Sequence, residues 1–549
     1  MDEPSGKGLS RRDLIRTAAV GSGIAAVAGT GLAGGSEPAP DLETPPPPIP
    51  AERITETVTA DVVVAGAGTA GLLAAFAAAR AGAKVVVVEK MATLQGRGGD
   101  NAALNSKLHR QLGIVIDKNQ VIDALMRRGE GRLDQTLLNL WADHSGPVMD
   151  LIIDLCAEEG LPSFLVIPDR GDDRCAVIDK WPLPTGFPAD WDYTKERYVE
   201  FPACHRPGFR AENQRGWLRL VEKKAAALGA RFHYETRAAQ LLREGEKGRV
   251  TGLVAQRKDG GYTRFTAARG VILCTGDYGF NREMMARYCP QMPLPCMVRT
   301  SMGEGHLMAI WVGAVMENPP HAPMSHMFHV MGTDAFLQVN RHGKRFYNED
   351  SDTESMANQA YEQGGVWVVF DARWPEHASR MGPGFKRVFL VDDRVREELE
   401  ALANGASSGP WSRKVLRADT LEQLAAKMEV PAPAFLATIQ RYNQLAKEGK
   451  DLDFGKRPDR LTPVSTPPFY AEWTAKPAFS LVVMGGLLVN ERLQAVDRDG
   501  DGIPGLYLAG NTVGRRFKSG YPLICPGISH GMALTHGFLA GRFAAEQRG

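Results

Sequence analysis

Apolar positions along this chain fall into runs whose period changes from element to element, and those changes mark out the fold. Residues 62–64 are three consecutive valines and residues 85–88 are four more. Continuous β-branched runs of this kind predict strands buried on both faces. Between them lies an alanine-rich stretch closed by Ala81 and Gly82, the composition of a helix that lies close on a sheet. Strand, helix and strand in this order predict a parallel βαβ unit and an α/β fold. Residues 120–160 alternate apolar and charged positions at helical spacing and predict amphipathic surface helices, whereas residues 161–210 are rich in Pro, Asp and Trp with little periodicity. Residues 215–229 read as helix; 231–236, 250–257 and 262–267 read as a strand meander; and 268–274 form a buried strand ending at Thr275 and Gly276. Gly303-Glu304-Gly305-His306 opens another helix. From about residue 317 to 481 aromatics, methionines and prolines rise, and within this region residues 341–350 predict a turn at Gly343 leading into a strand. The chain then returns to its first pattern, with an apolar run ending at Gly510 and Asn511 and a last helix from Ile528 to Glu546.

The N-terminus changes where the fold is taken to begin. Ser10-Arg11-Arg12-Asp13-Leu14-Ile15-Arg16, followed by a mild Gly/Ala-rich segment, resembles a twin-arginine export signal over residues 1–35. Gly35 stands where a lipoprotein signal carries cysteine, so cleavage near this point without a lipid anchor is expected, and with it a periplasmic or extracytoplasmic location. Residues 36–56, with four consecutive prolines, read as a stiff extended linker. Elsewhere composition mainly excludes. The 65 basic and 64 acidic residues balance, which argues against nucleic acid as a partner. The seven cysteines form no CxxC or CxxCH, against a disulfide scaffold, a c-type haem or a zinc ribbon. His321, His326 and His329 have no cysteine or carboxylate beside them at ligand spacing, so no metal site is expected.

The candidate chemistry sits in the βαβ unit. Gly66, Gly68 and Gly71 stand in GxGxxG spacing between the first valine run and the helix. The first permits a tight turn, the second lets a pyrophosphate approach the backbone, and the third lets the helix lie close on the strand. The N–H groups at the helix start, at Thr69 and Ala70, face that phosphate with the positive end of the dipole. Glu89, beside Lys90 at the end of the second run, is placed to accept from a ribose and disfavours a 2′-phosphate. Gly98, Gly99, Asn101 and Ala102 lie in a Gly-rich stretch that would let backbone approach a flat ring, although a plain surface loop has the same pattern.

Taken in order, five motifs resemble the FAD-dependent fumarate reductase/succinate dehydrogenase flavoprotein superfamily, including its 3-ketosteroid dehydrogenase branch. They are the GxGxxG with Glu89, VILCTGDYG at 271–279, the GEGH helix start, GKRFYNE at 343–349, and GLYLAGNT at 505–512 with PGISHG at 526–531. The resemblance implies a Rossmann-like FAD domain in two segments, 57–316 and 482–549. An α+β capping domain, 317–481, is inserted between them, and the substrate binds where cap meets isoalloxazine. Thr275, Gly276, Gly510, Asn511, Gly527, Ile528 and Ser529 would join the first glycines around FAD, bound noncovalently. Three departures matter. The family's proton-donating arginine, substrate histidine and carboxylate-clamping arginine fall at Thr353, Val482 and near Ile524, so a small dicarboxylate is not expected.

What remains implied is an FAD-dependent oxidoreductase acting on a CH–CH bond, reducing a carbonyl-conjugated C=C of a fairly apolar substrate by hydride transfer from flavin N5. Ketosteroid-dehydrogenase-like oxidation, fumarate- or urocanate-type reduction and an electron-transfer flavoprotein subunit stay open beside it. Tyr521, in a Tyr-Pro pair resembling the steroid branch, leads as hydrogen-bond or proton donor, though a core tyrosine would look the same. Arg345 and Tyr347 follow, and His530 at the last helix could serve either role. Met324, Met327, Phe328, Met331 and Phe336 would supply an apolar wall. The electron partner expected outside the cytoplasm is a quinol-linked cytochrome or another membrane donor.

Overall fold

The computed structural model describes residues 41–165, 201–208, 214–292, 296–325, 336–351, 353–380, 393–406, 414–474, 480–518, 520–522 and 524–547. Two of the expected site neighbours, Met327 and Phe328, with Met331, His326, His329 and the N-terminal signal, lie outside these residues.

The first valine run is the inner end of a longer strand, β1 (Ile54–Ala65), exposed where it begins and buried from Val62 onward. A chain turn leads into α1 (Thr69–Arg80) and then β2 (Val85–Val88). Four further strands of the main sheet, β3 (Arg231–His233), β4 (Thr236–Arg243), β5 (Val250–Arg257) and β6 (Tyr262–Leu273), come before the inserted region. After it the chain adds β7 (Gln494–Val496), β8 (Gly502–Leu508) and the closing helix α2 (Ile528–Glu546). The main sheet runs β7-β8-β6-β1-β2-β3, parallel except at β7. The strand expected at 268–274 and the last strand of the expected meander are one continuous β6. Its first half pairs antiparallel with β5 and its second half parallel with β8.

Ten of the twelve residues of α1 are buried, because the sheet, α2 and helix Gln214–Ala227 all pack against it. Glycine permits that closeness. A Cβ on Gly537 would stand 2.3 Å from the Ala70 carbonyl oxygen, and one on Gly541 2.2 Å from that of Ala74. On the other side of the turn a Cβ on Gly71 would meet the Gly66 oxygen at 1.8 Å.

The chain leaves this domain through Pro323–Ser325 and returns through Ser480–Val483, and these two crossings pair with each other as antiparallel strands. Between them the inserted region builds its own four-stranded antiparallel sheet, ordered Leu337–Val339, Val366–Asp371, Phe469–Thr474, Lys414–Ala418. Helices Leu421–Met428 and Ala432–Glu448 pack on it around Trp367, Phe435 and Tyr442. The strand expected after Gly343 is absent: strand Leu337–Val339 precedes the turn instead. Arg345 closes on Glu349 with two hydrogen bonds of 2.9 and 2.7 Å, a reach that residues four apart on an extended strand, about 13 Å from each other, cannot make.

The proline-rich segment also differs from a free linker. β1 begins inside it at Ile54, and upstream the segment docks on the protein body. Trp311 donates to the Leu42 carbonyl at 3.1 Å, Ile49 N–H to Gln240 Oε1 at 2.9 Å, and Gln240 Nε2 to the Pro47 carbonyl at 2.8 Å. Proline lacks an N–H but keeps its carbonyl, so an extended Pro run presents acceptors to any donor beside it. Among the described residues no helix is long and apolar enough to cross a membrane.

The glycine contacts give a direct test of the helix packing. Gly537→Val should lower the unfolding free energy by about 1–3 kcal/mol, seen as an earlier thermal or urea midpoint, because backbone rather than a movable side chain faces the added carbons.

Candidate active site

Parallel strands present their carboxyl ends, and the loops that follow them, to one crevice. At the ends of β1, β2 and β6 lies a cavity of about 540 Å³. Its first wall is the turn before α1. Gly66 holds φ +103° there, where a Cβ would stand 2.4 Å from the Cys274 carbonyl oxygen. Gly68 precedes α1 with no side-chain cap, leaving the N–H groups of the first turn free for a ligand. Glu89 is buried, and both its oxygens accept backbone N–H bonds of 2.8 Å, from Ala67 and from Met91. The acid that would meet a ribose therefore also fixes the glycine turn.

Of the cofactor candidates, Gly66, Gly68, Thr69, Ala70, Glu89, Lys90, Gly98, Gly99, Thr275, Gly276, Gly510, Asn511, Gly527 and Ser529 line this cavity. Gly71, Asn101, Ala102 and Ile528 stand one layer behind it. Gly71 lies against Gly66, and Ile528 is fully buried in a core with Met532 and Cys525. Asn101 exchanges hydrogen bonds of 3.0 and 2.8 Å with Gln214, which also reaches Thr69 Oγ1 at 3.3 Å; Ala102 N–H bonds the Gly527 carbonyl at 3.0 Å. These residues support the wall rather than face the ligand.

The start of α2 brings two catalytic candidates to the same space. His530 lines the cavity with Nδ1 2.9 Å from the Asp100 carbonyl oxygen. A carbonyl only accepts, so Nδ1 carries the proton; burial lowers the ring's pKa and keeps it neutral, which leaves Nε2 as an acceptor. Tyr521 lines the cavity as well, 5% exposed, its pKa raised well above the usual tyrosine value by burial. Its hydroxyl therefore stays protonated and able to donate. The two groups thus have opposite capacities, one donor and one acceptor.

Arg345 and Tyr347 are elsewhere. Arg345 is held inside the inserted domain by Glu349 and Asp451, both fully buried, and stacks over Tyr442. Tyr347 donates to Gln338 Oε1 at 3.1 Å. Neither lines the cavity; both lie in the inserted domain's interior. Phe336 likewise packs on Phe370 within that domain. Met324 does reach the cavity, together with Leu481, Val482 and Val298. Ile524 is buried behind Tyr521, and Thr353 begins helix Thr353–Glu362 in the inserted domain.

Several lining residues were not singled out by the motifs themselves. Asp277 is 2% exposed and accepts from Gly279 N–H, Ser301 Oγ and Val483 N–H at 2.8, 3.0 and 3.4 Å. Burial raises its pKa against these donors and against Arg97. Arg97, Thr300 and Ser301 complete that wall. Asp277 stands inside the VILCTGDYG motif, yet only tertiary contacts made more than 20 residues away reveal its use.

A family profile described as "FAD binding domain" matches residues 61–527. Vinyl phenol reductase of Lactiplantibacillus plantarum is 27% identical over 88% of this chain and 96% of its own length. 4-Oxocyclohexanecarboxylate 2-dehydrogenase of Sinomonas cyclohexanicum is 27% identical over 90% and 94%. Among solved structures, a 3-ketosteroid-Δ4-(5α)-dehydrogenase of Rhodococcus jostii RHA1 has a TM-score of 0.68 at 23% identity, covering 90% of this chain and 99% of that one. At that identity the likeness is one of fold. The cavity suits the cofactor on its own terms: a glycine turn no side chain could occupy, an uncapped helix start, and a carboxylate at the neighbouring strand end.

Arg345→Met separates the inserted domain's interior from the site. It leaves Asp451 buried without its cation and Glu349 with only Lys456, at 3.6 Å, and should cost about 3–5 kcal/mol in denaturant unfolding. At a temperature where the variant is folded, its turnover number should match the parent's; a lost turnover number at unchanged stability would return Arg345 to the chemistry.

Proposed function

The chain belongs to the FAD-binding-domain family, and from that premise we propose that it reduces a carbon–carbon double bond conjugated to a carbonyl, or runs the reverse, on a substrate more apolar than a small dicarboxylate. The observation that carries this reading is the wall formed by Met324, Leu481 and Val482 beside Tyr521. A substrate carboxylate placed against it would lose its hydration without gaining a cation, a cost that an apolar substrate avoids. Relatives named as vinyl phenol reductase and 4-oxocyclohexanecarboxylate 2-dehydrogenase lend the reading support.

Bound FAD would supply the two-electron exchange, held by the Gly66 to Gly71 turn, Glu89, the 98–99 stretch, Gly510, Asn511 and the start of α2. The chain's own residues supply the rest. Tyr521, kept protonated by burial, donates a hydrogen bond to the substrate carbonyl, where negative charge develops as the double bond is reduced. His530, neutral and fixed at Asp100, offers Nε2 as an acceptor, which suits proton removal in the oxidative direction. Met324 and Val482 exclude water and orient the apolar body of the substrate.

The reading extends to location and partner. The Ser10 to Arg16 stretch supports export by the twin-arginine route to the periplasm or beyond, and there the electron partner is a quinol-linked cytochrome or another membrane donor. Relatives named as fumarate reductase (cytochrome) support that kind of partner.

Two measurements test this. Under anaerobic conditions, protein reduced by a viologen donor should be reoxidised quickly by an apolar enone and slowly by fumarate. Tyr521→Phe should lower that rate by about 100-fold with FAD retained. Fast fumarate turnover with inert enones, or an unchanged rate in the Phe variant, contradicts the proposal. Replacing Arg11 and Arg12 by lysine should hold the protein in the cytoplasm; its appearance outside would dismiss the export reading.

A further inference from the structure

Arg97 lines the cavity with its side chain exposed to the cavity space. Its Nη2 donates to Thr300 Oγ1 at 3.1 Å, and among the described residues no carboxylate forms an ion pair with it; Asp277 and Glu89 act on it at longer range. Lys90, the neighbouring cation, differs. Its ammonium is committed to Glu304 at 2.6 Å and to the Thr300 carbonyl at 2.5 Å. Arg237, a third lining cation, reaches across the sheet surface to Gln256. Arg97 is thus the lining cation that faces the cavity with donors to spare, and a ligand filling the cavity would cover it, which for a guanidinium calls for an anion.

Chain geometry indicates which anion. Gln95 N–H bonds the Ala67 carbonyl at 2.9 Å, and the Gln95 oxygen lies 3.5 Å from where a Cβ on Gly68 would stand. Two residues further on, Arg97 starts from the edge of the glycine turn. The uncapped N–H groups of α1 line the same cavity, so both sets of donors are open to one ligand.

We propose that Arg97, anchored by Thr300, is a cofactor-binding residue whose guanidinium holds the diphosphate of FAD against the start of α1. This rests on the FAD reading above. A planar guanidinium can give two parallel hydrogen bonds to phosphate oxygens, which a lysine cannot, and the Thr300 hydroxyl holds it in place for that geometry. Thr300 also takes Lys90 on its carbonyl, so the 298–301 segment is drawn over the cofactor by two cations.

The test follows flavin release from the intact holoenzyme, read as the rise in free flavin fluorescence after dilution. Arg97→Gln should release FAD about tenfold to a hundredfold faster than the parent. Parent release should accelerate with salt, and that dependence should flatten in the Gln variant. Arg97→Lys should keep the salt dependence and recover part of the retention. Thr300→Val, which removes only the anchor, should give a smaller acceleration with the fold intact by circular dichroism. Release unchanged in Arg97→Gln overturns the proposal, and a raised KM with unchanged release reassigns Arg97 to the substrate. Parent protein carrying no FAD would instead sink the cofactor reading, before Arg97 is altered.

Discussion

Backbone pressed against backbone is the constraint on which this protein depends. Gly71 sits on Gly66, Gly66 on Cys274, Gly531 on Ala102, and Gly537 and Gly541 on Ala70 and Ala74. At each contact a side chain would collide with a carbonyl that has no freedom to move. Because the glycines let α1 approach the sheet on one side and α2 on the other, the starts of both helices arrive at the same cavity. Free N–H groups and positive dipole ends then face a single volume.

The inserted domain is built on a different principle. Its sheet is antiparallel and its core is aromatic, with Trp367, Phe435 and Tyr442 packed beneath it. Beside that core, Arg345 bonds Glu349 and Asp451 while Lys456 bonds the Tyr442 hydroxyl at 2.8 Å. Burial lowers the lysine's pKa to about 8, with Glu349 opposing. Charges so deeply enclosed specify one arrangement more than they stabilise it. That domain therefore presents a defined surface to the cavity without lending it these ions, and what lines the cavity at this side is Met324 and Leu481, joined by Val482.

The valine runs, the glycine spacing and the last helix were legible because each is local: period, turn chemistry and burial agree within a few residues. The two-segment organisation was legible only through resemblance, since nothing in residues 484–546 states which sheet they rejoin. Arg345 and Tyr347 lie apart from the cavity for a related reason. Their motif places them beside chemistry in sequence terms, while the i,i+4 closure onto Glu349 turns them into the inserted domain. Arg97 and Asp277 went unread for the opposite reason. Their partners Thr300, Ser301 and Val483 lie far along the chain, and no spacing rule connects them. Tyr521 and His530 differ again: the sequence offered both, but only the Asp100 carbonyl distinguishes acceptor from donor.

The paired crossings at Pro323–Ser325 and Ser480–Val483 have a mechanical meaning. Two separate tethers would let the inserted domain shift and twist in several directions, whereas two tethers laced into one ribbon leave mainly a single axis of swing. Met324 lies on one strand of that ribbon and Val482 on the other. Both residues line the cavity, so the link between the domains and part of the cavity wall are one piece of structure, and a displacement of the ribbon would move that wall with it.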